Sequence, residues 1–359
     1  ALLGQLKWQI SQSDEERNPF LCLKPSVMPV SMSGTFPTTS SERRTFVRMK
    51  HISQIIIVLV VLVQGSSQVS AEVDTWGKTT PRPAEFYAAS DVPGSQVELT
   101  RQWYEIASRA WGNFGPLEFW IVGKSEEAAR ELDKRYCDRR RQRDPSILLK
   151  NCLNRSHNFT DYARDGNAGL NTRRNERDQW SGFIITMSGK NPGPEEEDYK
   201  PVVLHEYFHV YQHAHIRSRK EQVLENLNQP NPWWGEGGAE YMAQLLYSRQ
   251  EGVSPGYRKQ VMGRKLRSVG SLRKGENIRD IPYGGRARIA YDLGGWFIAF
   301  LISRSSEDAY RVKFFKLLEK RGFEAAFRDS FGWSSHALLD DFHENFLSLE
   351  LPEQLKIIP

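Results

Sequence analysis

The segment VVLHEYFHVYQHAH, residues 202–215, constrains the fold of this chain more than any other stretch because it contains the pattern H-E-x-x-H. Positions four apart on an α-helix are separated by only about 40° around the axis. His205 and His209 therefore face the same side if the segment is helical. Two such imidazoles can supply two of the three protein ligands of a catalytic zinc ion. Glu206 is placed beside them to accept a proton from water.

The third metal ligand has two candidates. His215 lies at the offset of the metzincin pattern H-E-x-x-H-x-x-G-x-x-H, but Gln212 stands where that pattern has its helix-breaking glycine. On an unbroken helix, ten residues add about 15 Å of rise and about 280° of net rotation, so His215 would face elsewhere. The other candidate is Glu236 in NPWWGEGGAEYMAQLL, followed four positions later by Glu240. The aromatic flanks favour a buried helix over an exposed acidic stripe, so Glu236 is the predicted ligand.

H-E-x-x-H followed by W-x-E-G-x-A-E-Y resembles the gluzincin zinc metallopeptidases, the group that includes thermolysin-like enzymes and zinc aminopeptidases. The resemblance implies one zinc ion per chain and a peptide or protein substrate. It also implies that Glu236 is the third zinc ligand, that Glu240 accepts the free N–H of a ligating histidine, and that Tyr291 in AYDLGGWFIAFL stabilises the oxyanion. The chain departs from the group in a longer gap before Glu236 and in lacking G-x-M-x-N, so aminopeptidase activity is not implied.

The order of predicted elements indicates an α+β, zincin-like fold. Two strands, in PLEFWIVG and SGFIITMSG, precede the active-site helix, whereas nearly all of the sequence after residue 234 has helical spacing. We therefore expect residues 72–199 to form an N-terminal lobe with a small mixed β-sheet. Residues 200–359 are expected to form the zinc-binding helices and an all-helical C-terminal lobe. The strand SGFIITMSG is expected to offer a sheet edge to an extended substrate.

The first 71 residues are predicted to lie outside the fold. Residues 1–48 are polar and patternless, which indicates a non-structural upstream segment. Residues 49–71 combine a basic start, the apolar run IIIVLVVLV and a small-x-small end, which is typical of a secretory signal peptide. The apolar run is far shorter than the roughly 20 residues needed to cross a bilayer. We expect an exported protein, secreted or periplasmic, with no membrane span in the mature chain.

Charge and cysteine content bear on partners and compartment. The net charge is +5, and the basic run RYCDRRRQR is accompanied by no DNA- or RNA-binding motif, so nucleic acid is not an expected partner. Cys137 and Cys152 are the cysteines that follow the predicted signal peptide. An oxidising compartment would allow a disulfide between them, and two buried free thiols are the alternative.

These patterns together predict an exported zinc metallopeptidase. His205, His209 and Glu236 would hold the zinc ion, and Glu206 would activate the attacking water. One alternative is a zincin-like binding protein without turnover, against which the intact Glu206 argues, because binding needs no general base. The other alternative is a metzincin-type peptidase that uses His215 as the third ligand.

Overall fold

A four-stranded mixed β-sheet organises the first half of the fold in the computed structural model, which describes residues 76–155, 157–173, 182–189, 199–218 and 220–359. The strands are β1 (Glu85–Ala88), β2 (Leu117–Val122), β3 (Ala168–Arg173) and β4 (Gly182–Ser188). Their order across the sheet is β1-β2-β4-β3, with β1, β2 and β4 parallel and β3 antiparallel to β4. The predicted strands PLEFWIVG and SGFIITMSG correspond to β2 and β4. Both are buried along their whole length, as expected for a sheet covered on both faces.

Helices make up most of the rest, and the described ranges contain thirteen of them. They are α1 (Gly94–Trp111), α2 (Glu126–Arg143), α3 (Leu149–Leu153), α4 (Phe159–Asp165), α5 (Tyr199–Ala214), α6 (Glu221–Asn228), α7 (Pro232–Ser248), α8 (Tyr257–Lys265), α9 (Ala287–Arg304), α10 (Phe315–Arg321), α11 (Phe323–Phe331), α12 (Ser335–Asp341) and α13 (Leu351–Gln354). The fold is thus mixed α/β and mostly helical, with one small mixed sheet, and this part of the fold prediction is confirmed.

The position of β4 in the sheet corrects one prediction. Ile185 of β4 pairs with Phe119 of β2 on one side and with Leu170 of β3 on the other. Both edges of β4 are therefore hydrogen-bonded, and the expectation that SGFIITMSG offers an edge to substrate is wrong. Among the described strands, the edge positions belong to β1 and β3.

The two faces of the sheet pack against different helices because side chains alternate along a strand. Phe119 and Ile185 belong to the main core, which includes residues of α1, α5, α7 and α9. Trp120 and Ile184 belong to a second cluster, which includes residues of α2, α3 and α4. A disulfide between Cys137 and Cys152 joins α2 to α3 within that second cluster. The disulfide and α5 therefore lie on opposite faces of the sheet.

The α/β half and the helical half share one core. Trp103 of α1 packs against Tyr247 of α7, with ring centroids 5.2 Å apart. Trp111 of α1 meets Phe208 of α5 edge-on, with ring centroids 5.0 Å apart. All described residues also belong to one compact unit. The helix α5 is held between the sheet side and the helical side of this core.

A pair of glycines lets α7 and α9 approach each other closely. A Cβ atom at Gly237 would lie 2.4 Å from the carbonyl carbon of Gly294. A Cβ atom at Gly294 would lie 2.3 Å from the carbonyl oxygen of Trp233. Only glycine fits at these positions unless a helix moves, because the neighbouring atoms belong to the backbone. The contact fixes the spacing between Glu236, one residue before the first glycine, and Tyr291, three residues before the second.

The N-terminal predictions cannot be placed on this fold. The upstream segment at residues 1–48 and the signal peptide at residues 49–71 lie outside the described residues. Within the described ranges, none of the helices combines the length and the apolar character that crossing a bilayer requires.

Candidate metal centre

Three donor atoms from α5 and α7 converge on one point. The Nε2 atoms of His205 and His209 lie 3.1 Å apart. Oε2 of Glu236 lies 3.2 Å from the first nitrogen and 3.0 Å from the second. All three side chains are buried, although the two histidines keep 7% and 8% of their surface exposed. This group could hold a metal ion.

The triangle of donor atoms fits a tetrahedral metal ion. Bonds of about 2.0–2.1 Å to imidazole nitrogen and carboxylate oxygen place the ligand atoms of a tetrahedral site about 3.3 Å from one another. The observed separations of 3.0, 3.1 and 3.2 Å are close to that value. Two imidazoles and one carboxylate also leave the fourth tetrahedral position open, which is the arrangement of catalytic metal sites.

The hydrogen bonds around His209 decide which ring nitrogen faces the centre with a lone pair. The amide of Gln212 is oriented because its Nε2 donates to the carbonyl oxygen of Gly235 over 2.9 Å. Its Oε1 therefore accepts from Nδ1 of His209, 2.8 Å away. A neutral imidazole protonated on Nδ1 presents a lone pair at Nε2. In this neutral form, the lone pairs of His209 Nε2 and Glu236 Oε2 would face each other at 3.0 Å, and a metal cation between them would satisfy both.

Electrostatics favour a positive charge at the same point. Burial lowers the pKa of His205, but hydrogen bonds to Glu236 and Glu240 raise it more, to about 10. Burial raises the pKa of Glu236, yet the two neighbouring histidines bring it well below its usual range. Both shifts mean that the carboxylate stays charged and that a positive charge beside it is stabilised. A metal cation supplies such a charge.

Glu206 lies on α5 next to the first histidine and is fully buried. Neither of its carboxylate oxygens has a hydrogen-bond partner among the residues that the structure describes. Burial raises its pKa to about 7, against a smaller lowering by the charges of His205 and His209. A carboxyl group with a pKa near neutrality can both accept and release a proton at neutral pH.

Glu240 lies behind the first histidine ligand, one helical turn after Glu236 on α7. Its Oε2 is 3.6 Å from Nδ1 of His205, and its Oε1 is 2.9 Å from Nζ of Lys265. A carboxylate in this position orients the imidazole and favours the tautomer that presents Nε2 to a metal. The sequence pattern predicted the place of Glu240 but not its partner Lys265.

Tyrosine side chains lie beside Glu236. Tyr283, just before α9, donates its hydroxyl to Oε1 of Glu236 over 3.1 Å, which leaves Oε2 for the metal position. Burial raises the pKa of Tyr291 far above its usual value, and the negative charge of Glu236 adds to this effect. Burial also raises the pKa of Tyr162, with a further contribution from Glu206. The predicted Tyr291 is thus close to Glu236, and Tyr283 is a direct neighbour of Glu236 that the sequence patterns did not single out.

His215 occupies a different environment from the three donors. It directly follows α5, which continues unbroken through Gln212. Its Nδ1 lies 2.7 Å from the carbonyl oxygen of Tyr211, and its ring packs against the rings of Phe114 and Phe315. Burial lowers its pKa. Within the described ranges it is not part of the converging donor group.

No protein-family model, curated protein or solved structure matches the chain.

Proposed function

We propose that the chain is an exported zinc-dependent peptidase with a zincin-like fold and a gluzincin-type site. The observation that carries the proposal is the buried triangle of donor atoms from His205, His209 and Glu236, with Glu206 on the same helix. Two imidazoles and a carboxylate are a common ligand set of catalytic zinc. One zinc ion per chain is the expected stoichiometry.

Zinc held by these three groups would supply Lewis-acid chemistry, because it acidifies water and polarises a carbonyl oxygen. Glu206 would act as general base and take a proton from the water that attacks the scissile carbonyl carbon. It would then deliver that proton to the leaving amine nitrogen. The burial of Glu206 and its lack of a hydrogen-bond partner among the described residues keep both carboxylate oxygens available for this transfer.

The developing oxyanion would be stabilised by a phenol. Tyr291 is the proposed donor because burial and the nearby Glu236 charge keep its hydroxyl protonated. The glycine contact between α7 and α9 would set the distance over which Tyr291 acts.

The proposed substrate is a peptide or a protein, and an extended segment would pair with a sheet edge. Since β4 is an interior strand, the edge strand β3 replaces it in this role. The helix α5 contacts β3, which brings that edge towards the metal centre. Export is proposed from the signal-peptide pattern at residues 49–71, and the disulfide between Cys137 and Cys152 is typical of proteins in oxidising compartments.

The decisive test exchanges Glu206 for glutamine, which removes the base but keeps the size of the side chain. We expect Glu206→Gln to lose cleavage of a diverse peptide library by at least about 100-fold, as loss of a general base does, while zinc content stays equal to that of the parent. A chelator should abolish cleavage by the parent, and added zinc should restore it. Retained cleavage in Glu206→Gln would contradict the mechanism. A parent that binds zinc but cleaves no peptide would indicate a binding protein without turnover.

A further inference from the structure

A buried ammonium group lies behind the metal centre. Lys265 is the last residue of α8, and only 4% of its side chain is exposed. Burying a lysine is costly unless its charge is paired, so such a residue is held in place by its partners. Its Nζ lies 2.9 Å from Oε1 of Glu240 and 3.5 Å from Oδ1 of Asp292.

Glu240 connects this ammonium group to a metal ligand. One carboxylate oxygen faces Lys265 and the other faces Nδ1 of His205, whose Nε2 belongs to the donor triangle. Oε1 also accepts a hydrogen bond from the amide of Gln244, at a longer 3.3 Å. Among these contacts, the one with the ammonium group is the shortest, so it does most to fix the rotation of the Glu240 carboxylate.

The other side of Lys265 is anchored to α9. Asp292 accepts a hydrogen bond from Oγ of Ser268 over 2.6 Å and from Nε of Arg288 over 3.0 Å. These two hydrogen bonds fix the position of the Asp292 carboxylate, and the carboxylate in turn fixes the position of the Lys265 ammonium group. Asp292 directly follows Tyr291, so the same helix carries both the anchor and the proposed oxyanion donor.

We propose that Lys265 is a positioning residue of the metal centre, acting through Glu240 on His205 to raise the affinity for the metal. The inference rests on the metal-binding part of the proposed function and not on peptide hydrolysis. No contact between Lys265 and the three ligands is needed, because Glu240 transmits its effect. Groups that orient a ligating histidine typically change metal affinity by about 10–100-fold when they are removed.

The test measures zinc affinity of the full chain by competition with a chromogenic chelator. We expect Lys265→Met to bind zinc about tenfold more weakly than the parent. The matched control is Lys259→Met, which removes an exposed lysine from the same helix and should leave the affinity unchanged. The cobalt-substituted Lys265→Met variant should also show an altered visible spectrum, since the orientation of His205 changes. Equal affinities and equal spectra for the two methionine variants would overturn the inference.

A second comparison asks whether Lys265 acts through Glu240. If it does, Lys265→Met should cause no further loss of zinc affinity in a Glu240→Gln background, because coupled residues are not additive. If the double variant loses zinc affinity by the product of the two single-variant losses, the inference is overturned. Should Lys265→Met not fold, Lys265→Gln, compared with Lys259→Gln, keeps a polar group in place and is expected to lose affinity as well. A parent without zinc affinity would reject the proposed function and this inference together, whereas a zinc-binding parent without peptidase activity leaves only the inference standing.

Discussion

At the scale of single residues, Gln212 affects both His215 and His209, and the sequence motif reveals only the first of these effects. It occupies the site where the metzincin pattern requires a glycine, so α5 continues instead of turning back. Its amide also bridges α5 and α7, because it accepts from Nδ1 of His209 and donates to the carbonyl oxygen of Gly235. The same residue therefore removes one candidate ligand and orients another.

Ligand identity can be tested by exchanging the two candidates for the third position. Glu236→Ala should lose most of its bound zinc, because the donor triangle loses its carboxylate oxygen. His215→Ala should keep the zinc content of the parent, since that ring packs among aromatic side chains outside the donor group. Elemental analysis of the purified variants after dialysis measures both. Zinc loss in His215→Ala with retention in Glu236→Ala would establish the metzincin-type site instead.

Only part of the centre could be predicted from sequence. His205 and His209 were predictable because helical periodicity alone puts positions four apart on one face. Glu236 needed a second motif, since its contact with α5 is a tertiary one. Tyr283 and Lys265 carried no signal, because each belongs to a segment without a metal-binding pattern and reaches the centre only through the packing of α7, α8 and α9.

At the scale of elements, the contact between α7 and α9 controls how closely the side chains of Glu236 and Tyr291 approach each other. Gly237 and Gly294 meet backbone to backbone, which leaves no side chain that could adjust to a larger residue. Glu236 and Tyr291 lie next to this contact on their own helices. A change in the distance between α7 and α9 would therefore move Glu236 and Tyr291 relative to each other, even if neither residue is substituted.

Gly294→Ala should destabilise the protein even though alanine is the better helix former. The added methyl group would lie 2.3 Å from the carbonyl oxygen of Trp233, so overpacking should lower the free energy of unfolding by about 1–3 kcal/mol. Gly263→Ala in α8 is the matched control, because its nearest neighbours would be 4.0 Å away. The free energy of unfolding of that control should rise by about 0.5–1 kcal/mol, because alanine has a higher helix propensity than glycine. Urea unfolding of both variants gives the comparison, and equal stabilities would argue against a tight contact.

Two of the strands could be predicted from the sequence, but their order in the sheet could not. The apolar runs of β2 and β4 were recognisable because both faces of the sheet are buried there. The order of the strands in the sheet could not be predicted from the sequence, since β3 precedes β4 in the chain but lies outside it in the sheet. The sequence AGLNTR of β3 is poor in β-branched and aromatic residues, so it carried no strand signal of its own.

At the scale of the whole molecule, the sheet separates two packed regions. One face supports α5 and the candidate metal centre, and the other supports the cluster that contains the disulfide. The two regions share β2 and β4 but present alternate side chains of those strands. Tyr162 of the second cluster is influenced by the charge of Glu206, but none of the three donor residues belongs to that cluster. A loss of stability in the second cluster is therefore expected to leave the donor atoms in place.

Replacing both Cys137 and Cys152 with alanine tests this separation. The disulfide closes a loop with a sequence separation of 15, so its loss should lower the free energy of unfolding by about 3 kcal/mol. Zinc affinity of the folded double variant should equal that of the parent, because the disulfide lies across the sheet from α5. Urea unfolding and zinc competition measure the two quantities. A matching fall in zinc affinity would show that the two regions are coupled.

The glycine pair also has a consequence for recognising distant relatives of this chain. Side-chain contacts can drift during evolution because a loss on one helix is compensated by a gain on its neighbour. Backbone contact at Gly237 and Gly294 offers no such compensation, so both glycines should outlast most of the residues around them. A search pattern that joins H-E-x-x-H to these two glycines at their spacing would then detect homologues after overall sequence identity has faded.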